Sequence, residues 1–141
     1  MSTSSVLIAP PDSDDTVTGS PRYTLLLTTD PDDIAAVQRL RYAVFSTEPG
    51  FGLRNDDRVD ADRFDEYCDH LVVRDDRTGE IVGCYRMLPP PGAIAAGGLY
   101  TATEFEISAL DPLRPSLVEM GRAVVRGDHR NGAVVLMMWT G

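Results

Sequence analysis

The 141-residue chain predicts a single domain of α/β or α+β class. Three observations carry that expectation. Short β-prone runs alternate with segments of helical period, in the order strand, helix, hairpin, strand, helix. No internal repeat is present. No apolar run reaches the 18 residues of a spanning helix.

Residues 1 to 20 are rich in Ser, Thr, Asp and Pro, the composition of a disordered tail. The domain is expected over residues 21–141. Residues 22–29 (RYTLLLTT) read as the first strand. Asp30 then suits a helix cap and Pro31 the first helical position. Ile34, Val37, Leu40, Arg41, Val44 and Phe45 recur at helical spacing, and Pro49-Gly50 ends the helix. Residues 46–69 form a long acidic loop anchored by Phe51, Phe64 and Tyr67. Residues 70–74 and 80–87 read as a hairpin around an Asp75–Gly79 turn. The prolines from Pro89 end it, and residues 93–115 are irregular apart from one short helical turn. Residues 117–125 form a further strand, and a helix starts at Ala133. That last helix has no returning strand to cover it, so the fold is expected to be C-terminally incomplete.

Formal charge is −9, and all 13 cationic Lys or Arg positions are arginine. This argues against a nucleic-acid partner, which needs a basic face. Arg114, Arg122, Arg126 and Arg130 still offer a local cluster for an acidic one. The 2 cysteines, Cys68 and Cys84, make neither a disulfide framework nor a CxxC metal motif, which suits a cytoplasmic location. Cys68 and His70 point to opposite sides of an alternating strand from their neighbours, with no third orienting residue, so covalent cysteine catalysis is disfavoured. Two histidines are too few for a metal site.

The most informative segment runs from Val118 through Ala133. A strand enters a turn with two glycines, and a helix follows. Such a helix start is either an anion site or an ordinary corner that binds nothing. Glu119 lies in an otherwise apolar strand, as a general base or as a structural partner of Arg122. Residues three apart on a regular strand face opposite sides, so a shared Glu119–Arg122 site requires a bulge, expected at Gly121. Arg41 and Phe45 share a helix face, as site residues or as an amphipathic boundary. Asp65 and Asp69 either recognise an amine or form a solvated loop. Arg86 binds a carboxylate or pairs with Asp65 or Glu119.

Several blocks, taken in order, resemble the GNAT N-acyltransferases. Arg130-Asn131-Gly132 resembles their acceptor loop, with Arg two residues before Gly where the family has three. Within the superfamily, the ornithine-lipid N-acyltransferases and the related acyl-homoserine-lactone synthases are the most similar. Arg41-Tyr42-Ala43-Val44-Phe45 looks like their Arg-x-x-x-Phe helix. Phe64-Asp65 through Cys68-Asp69-His70-Leu71 looks like the acidic approach to their second strand. Val82-Gly83-Cys84-Tyr85-Arg86-Met87-Leu88-Pro89 looks like Val-Gly-x-x-Arg-Leu-Leu-Pro. Glu119-Met120-Gly121-Arg122 looks like Glu-x-x-Arg.

The resemblance implies a GNAT-like mixed sheet flanked by helices, of which this chain holds the N-terminal half to two-thirds. It implies transfer of a fatty or 3-hydroxyfatty acyl group to an amino-acid amine, with acyl carrier protein or coenzyme A as thioester donor and no permanently bound cofactor. Glu119 and Arg122 would be catalytic. Arg41, Phe45, Asp65, Asp69 and Arg86 would bind the acceptor. Val124, Val125, Arg126, Arg130, Asn131 and Gly132 would bind the donor. A lipid product leaves room for peripheral membrane contact. Two other readings stay open. One is a catalytically inactive fragment or binding module that needs a second chain. The other is an acyl-homoserine-lactone synthase, whose usual early tryptophan is missing; Trp139 is the only tryptophan.

Overall fold

A computed structural model describes residues 1–10, 22–52 and 55–141. Five strands form one sheet in chain order: β1 (Ser4–Ile8), β2 (Tyr23–Thr28), β3 (Asp69–Asp75), β4 (Glu80–Leu88) and β5 (Glu119–Val125). Every pairing is antiparallel. The α/β class is as expected, but the described sheet is antiparallel rather than mixed.

The amino-terminal expectation needs correction. Ser4–Ile8 is not tail but an edge strand on β2, tied further by Thr29 N–H donating to the Thr3 carbonyl at 2.8 Å. Ser-Ser-Val-Leu-Ile is β-prone, and its signal was masked by the polar stretch that follows. Residues 11–20 of the expected tail lie outside the described residues.

Helix α1 (Pro31–Phe45) starts as its cap predicts: the Asp30 carboxylate accepts from Asp32 N–H at 2.9 Å. Its buried residues Val37, Leu40, Arg41 and Val44 form one stripe. That stripe covers one sheet face, where Leu26, Val72, Cys84 and Val124 meet it. The opposite face carries Leu25, Leu71, Val73, Val82, Tyr85 and Val125, which pack with Val134 and Met138 of α3 (Ala133–Thr140). The period of two separates the two cores along β2 and β3, while in β4 a register shift at Val82 puts Val82 and Cys84 on opposite faces. Gly83 lets α3 approach β4 closely, since a Cβ there would lie 2.7 Å from Val134 Cγ1.

The proline run at 89–91 does not simply terminate β4. It opens a short helix, α2 (Pro90–Ala95), because proline is tolerated in a first helical turn. The connection continues through 3-10 turns at Thr101–Thr103 and Ser108–Ser116. Phe64, Cys68, Leu88, Ala96 and Leu99 form a third small core that fixes this connection beside the end of the sheet. Among the described residues no helix is long and apolar enough to cross a membrane.

Candidate active site

The site is organised by an irregularity in β5. Cys84 pairs with Val124 and Arg86 with Gly121, so Tyr85 faces two residues, Arg122 and Ala123. This is a bulge, one residue later than the sequence predicts. Arg122 takes a φ of +54°, a conformation that costs a non-glycine residue about 1–2 kcal/mol. The bulge does what the spacing demanded: Glu119 and Arg122 both line one cavity of about 240 Å³, with Phe64, Arg86, Tyr100 and Thr101.

Glu119 is tightly held within it. Oε1 accepts from the Tyr100 N–H at 2.7 Å, and Oε2 accepts from the Thr101 N–H at 2.9 Å and from the Thr101 hydroxyl. The Tyr100 ring lies 5.1 Å from the Arg122 guanidinium and 5.5 Å from that of Arg86.

Behind the cavity, three arginines and three aspartates alternate in a closed ring. Arg41 binds Asp65 through two hydrogen bonds, at 2.9 and 2.7 Å. Asp65 accepts from Arg86 at 2.7 Å, and Arg86 reaches Asp62 at 2.7 and 2.8 Å. Asp62 lies 3.9 Å from Arg122, and Arg122 lies 3.5 Å from Asp60. Asp60 closes the ring on Arg41, whose Nε is 2.8 Å away without hydrogen-bond alignment. The Asp60 backbone carbonyl also accepts from Arg41. The loosest links are those of Arg122, the member that is 22% exposed and faces the cavity, against 1% for Arg41.

Burial works to raise the Asp65 carboxyl. Hydrogen bonds and charge from Arg41, with help from Gln38 and Arg86, outweigh it and hold the group well below the usual carboxylate range. His70 is fully buried, with Nε2 2.8 Å from the Asp65 carbonyl oxygen, which can only accept. Its Nε2 therefore carries a proton, while Nδ1 has no partner among the described residues. Burial lowers its pKa, and the nearby Arg41 and Arg86 charges act the same way. Burial pushes the Cys68 and Cys84 thiols up to about 12, which leaves neither as a thiolate nucleophile near neutral pH.

On the other side of β5 lies an apolar groove of about 250 Å³, lined by Tyr85, Ala123, Val124, Val125, Val135, Met138 and Trp139. Cavity and groove share Met120 and Gly121, so they meet at the bulge.

The catalytic and acceptor residues expected from the sequence fall into four groups. Glu119, Arg122 and Arg86 line the cavity. Arg41 and Asp65 do not; they are spent on the buried ring, which corrects their assignment as direct acceptor contacts. Phe45 stacks on Phe51 at 5.0 Å and lies 5.7 Å from the Arg122 guanidinium, so it backs the site. Asp69 opens β3 opposite Met87, outside both ring and cavity.

On the donor side, the Val124 and Val125 side chains are largely buried in the two cores while both residues border the groove. Arg126 pairs with Asp128 at 2.7 Å and Glu80 at 2.9 Å. Arg130 donates to the Val125 carbonyl at 3.0 Å and sits 3.3 Å from Glu48. Asn131 Oδ1 accepts from Ala133 N–H at 3.2 Å, and Gly132 turns into α3 at a φ of +83°. The turn is further anchored where the Tyr23 hydroxyl meets buried His129 Nδ1 at 2.7 Å. Sequence reasoning missed Asp60, Asp62, His70, Tyr100 and Thr101. The acidic loop hinted at the first two; nothing in a segment of small residues pointed to the last two.

Residues 40–140 match the acetyltransferase (GNAT) domain family. An L-ornithine N(alpha)-acyltransferase of Rhodobacter capsulatus is 38% identical over 125 residues, covering 83% of this chain and 48% of that protein. Proteins of the same name from Brucella abortus and Agrobacterium fabrum are 38% and 36% identical, each covering 77% of this chain and 42% and 41% of their own lengths. The chain thus spans less than half the length of these relatives. Among solved structures, the AHL synthase LasI aligns with a TM-score of 0.53 over 81% of this chain and 58% of that one, at 16% identity. That likeness concerns the fold.

Proposed function

From the premise that the chain belongs to the acetyltransferase (GNAT) domain family, we propose that it acts in moving a fatty or 3-hydroxyfatty acyl group from a carrier thioester to the amine of an amino acid, ornithine by analogy with its relatives. The observation that carries this reading is the meeting of a charged cavity and an apolar groove at one bulge. An acyl chain suits the groove. An amino acid suits the cavity, where Arg122 can take its carboxylate and Glu119 its amine. The amine nitrogen attacks the thioester carbonyl, the C–S bond breaks, and the thiol leaves with the proton the amine gives up. Glu119 is the group placed to accept or steer that proton. The bulge breaks the regular pairing of β5 at Arg122–Ala123, and a backbone N–H turned out of the ladder there would suit the developing oxyanion. The turn from Arg126 to Gly132 would receive the phosphate of the donor, an acyl carrier protein or coenzyme A thioester.

The test is mass spectrometry of lipid extracts from cells expressing the full-length protein. An N-acylated amino acid is expected. Its absence despite folded protein would overturn acyl transfer in favour of a binding role, and an acyl-homoserine lactone would redirect the acceptor assignment. Glu119→Gln should cut turnover by about a hundredfold with little loss of stability.

A further inference from the structure

The connection between β4 and β5 supplies something the charged residues do not. A carboxylate offers about four acceptor positions in its plane. Three of those on Glu119 are filled from two adjacent residues, Tyr100 and Thr101. Oε2 takes two donors and is saturated; Oε1 takes one and keeps one position. Glu119 and Thr101 both border the cavity, and no hydrogen bond among the described residues fills the remaining position.

The two residues that fix the carboxylate also bear on the cations. The Tyr100 ring rests within 5.5 Å of both the Arg86 and Arg122 guanidiniums and meets the Phe64 ring edge-on at 5.6 Å. The buried neighbour Leu99 roots this turn in the third core. The turn therefore sets the spacing between the site's negative and positive groups.

We propose that Thr101 is a positioning residue for the acceptor. Its hydroxyl and N–H lock Oε2, so that Glu119 presents one acceptor position and receives one N–H of a primary amine. That orientation turns the amine lone pair away from Glu119 and towards the bulge. The inference rests on the acyl-transfer reading of Glu119.

The experiment compares Thr101→Val, Thr101→Ala, Thr101→Ser and Thr103→Val in the full-length protein, with KM for ornithine and kcat measured at saturating acyl donor. Thr103 is the internal control. Its hydroxyl donates to the Tyr100 carbonyl at 2.7 Å in the same turn and makes no contact with Glu119. Loss of a hydrogen bond to a charged acceptor should raise the amine KM about tenfold in Thr101→Val and Thr101→Ala, with the donor KM unchanged. Thr101→Ser should restore the wild-type value, and Thr103→Val should match wild type. Wild-type amine KM in folded Thr101→Val or Thr101→Ala, or an equal rise in Thr103→Val, overturns the positioning role. Glu119→Gln separates the two levels: if it retains full turnover, the reading of Glu119 fails first; if it loses turnover while Thr101→Val keeps the wild-type amine KM, only this inference fails.

Discussion

On the α3 face of the sheet, Leu25, Leu71, Val73 and Val82 pack against Val134 and Met138 in an apolar cluster, with the buried Asp75 at its edge beside Tyr23 and His129. On the α1 face, alternate residues of the same strands present His70 and Arg86, which join Arg41 and three aspartates. One face holds the sheet together by apolar burial. The other holds opposite charges out of water, and those charges are stable only as a matched set. Buried ion pairs gain little over apolar packing, but removing one member strands its partners. The α1 face is thus stable by completeness, whereas the α3 face is stable residue by residue.

The sharpest test compares one truncation on each face. Arg41→Met should cost about 3–5 kcal/mol, because it leaves Asp60 and Asp65 buried without their main cation. Leu71→Ala should cost about 3 kcal/mol, an ordinary core cavity. Urea denaturation measures both. A smaller loss for Arg41→Met than for Leu71→Ala would mean the ring relaxes or hydrates, and the contrast between the faces would be lost.

A next test uses pH. Burial depresses the folded-state pKa of His70 below its ordinary value of 6.5. As pH falls, the unfolded chain binds that proton before the folded one does. Stability from a neutral His70 is therefore present above about pH 6.5 and lost below it, by up to ~1.4 kcal/mol per pH unit. Asp65 acts in a separate window. Its depressed pKa gives stability present above about pH 4 and lost only as pH falls further. Melting temperature should thus already decline between pH 7 and 5. His70→Gln should flatten that decline; a slope unchanged in the variant would move the effect to another group.

The smallest expected effect is the most specific. Arg122→Gly removes a side chain from a φ of +54°. Glycine relieves about 1 kcal/mol of strain there, set against the loose ion pairs of Arg122. Stability should stay level or rise while amine acylation falls. A clear fall in both would make Arg122 a structural member of the ring rather than the strained, site-facing one.

Much of the fold was legible because local signals agreed with it. The Asp30-Pro31 start, the Val37–Val44 stripe and the Asp75–Gly79 turn each state their own conformation. The α3 start at Ala133 was equally clear. β1 was missed because an edge strand needs only one partner and a few β-formers, which a polar stretch can hide. The need for a bulge in β5 followed from the parity of Glu119 and Arg122. Its position did not, since glycine preference pointed to Gly121 while ion pairs and ring contacts hold Arg122 in the strained conformation. The ring itself was only half visible. Arg41, Asp65 and Arg86 were singled out for chemistry, but whether a charge faces a ligand or another charge depends on the third dimension. Asp60 and Asp62 looked like any acidic loop, and two of the three hydrogen bonds from Tyr100 and Thr101 to Glu119 come from backbone N–H groups, which carry no signal in the residue types.

The burial of Cys68 and Cys84 has a consequence for chemical self-restraint. An activated thioester acylates any accessible thiolate or unprotonated amine within reach. Both thiols are enclosed and pushed up to about 12, and these 141 residues contain no lysine ε-amine. A thioester brought to the bulge would meet neither an exposed cysteine thiolate nor a lysine amine of this chain, so the two side-chain types most prone to intercept its acyl group are withheld.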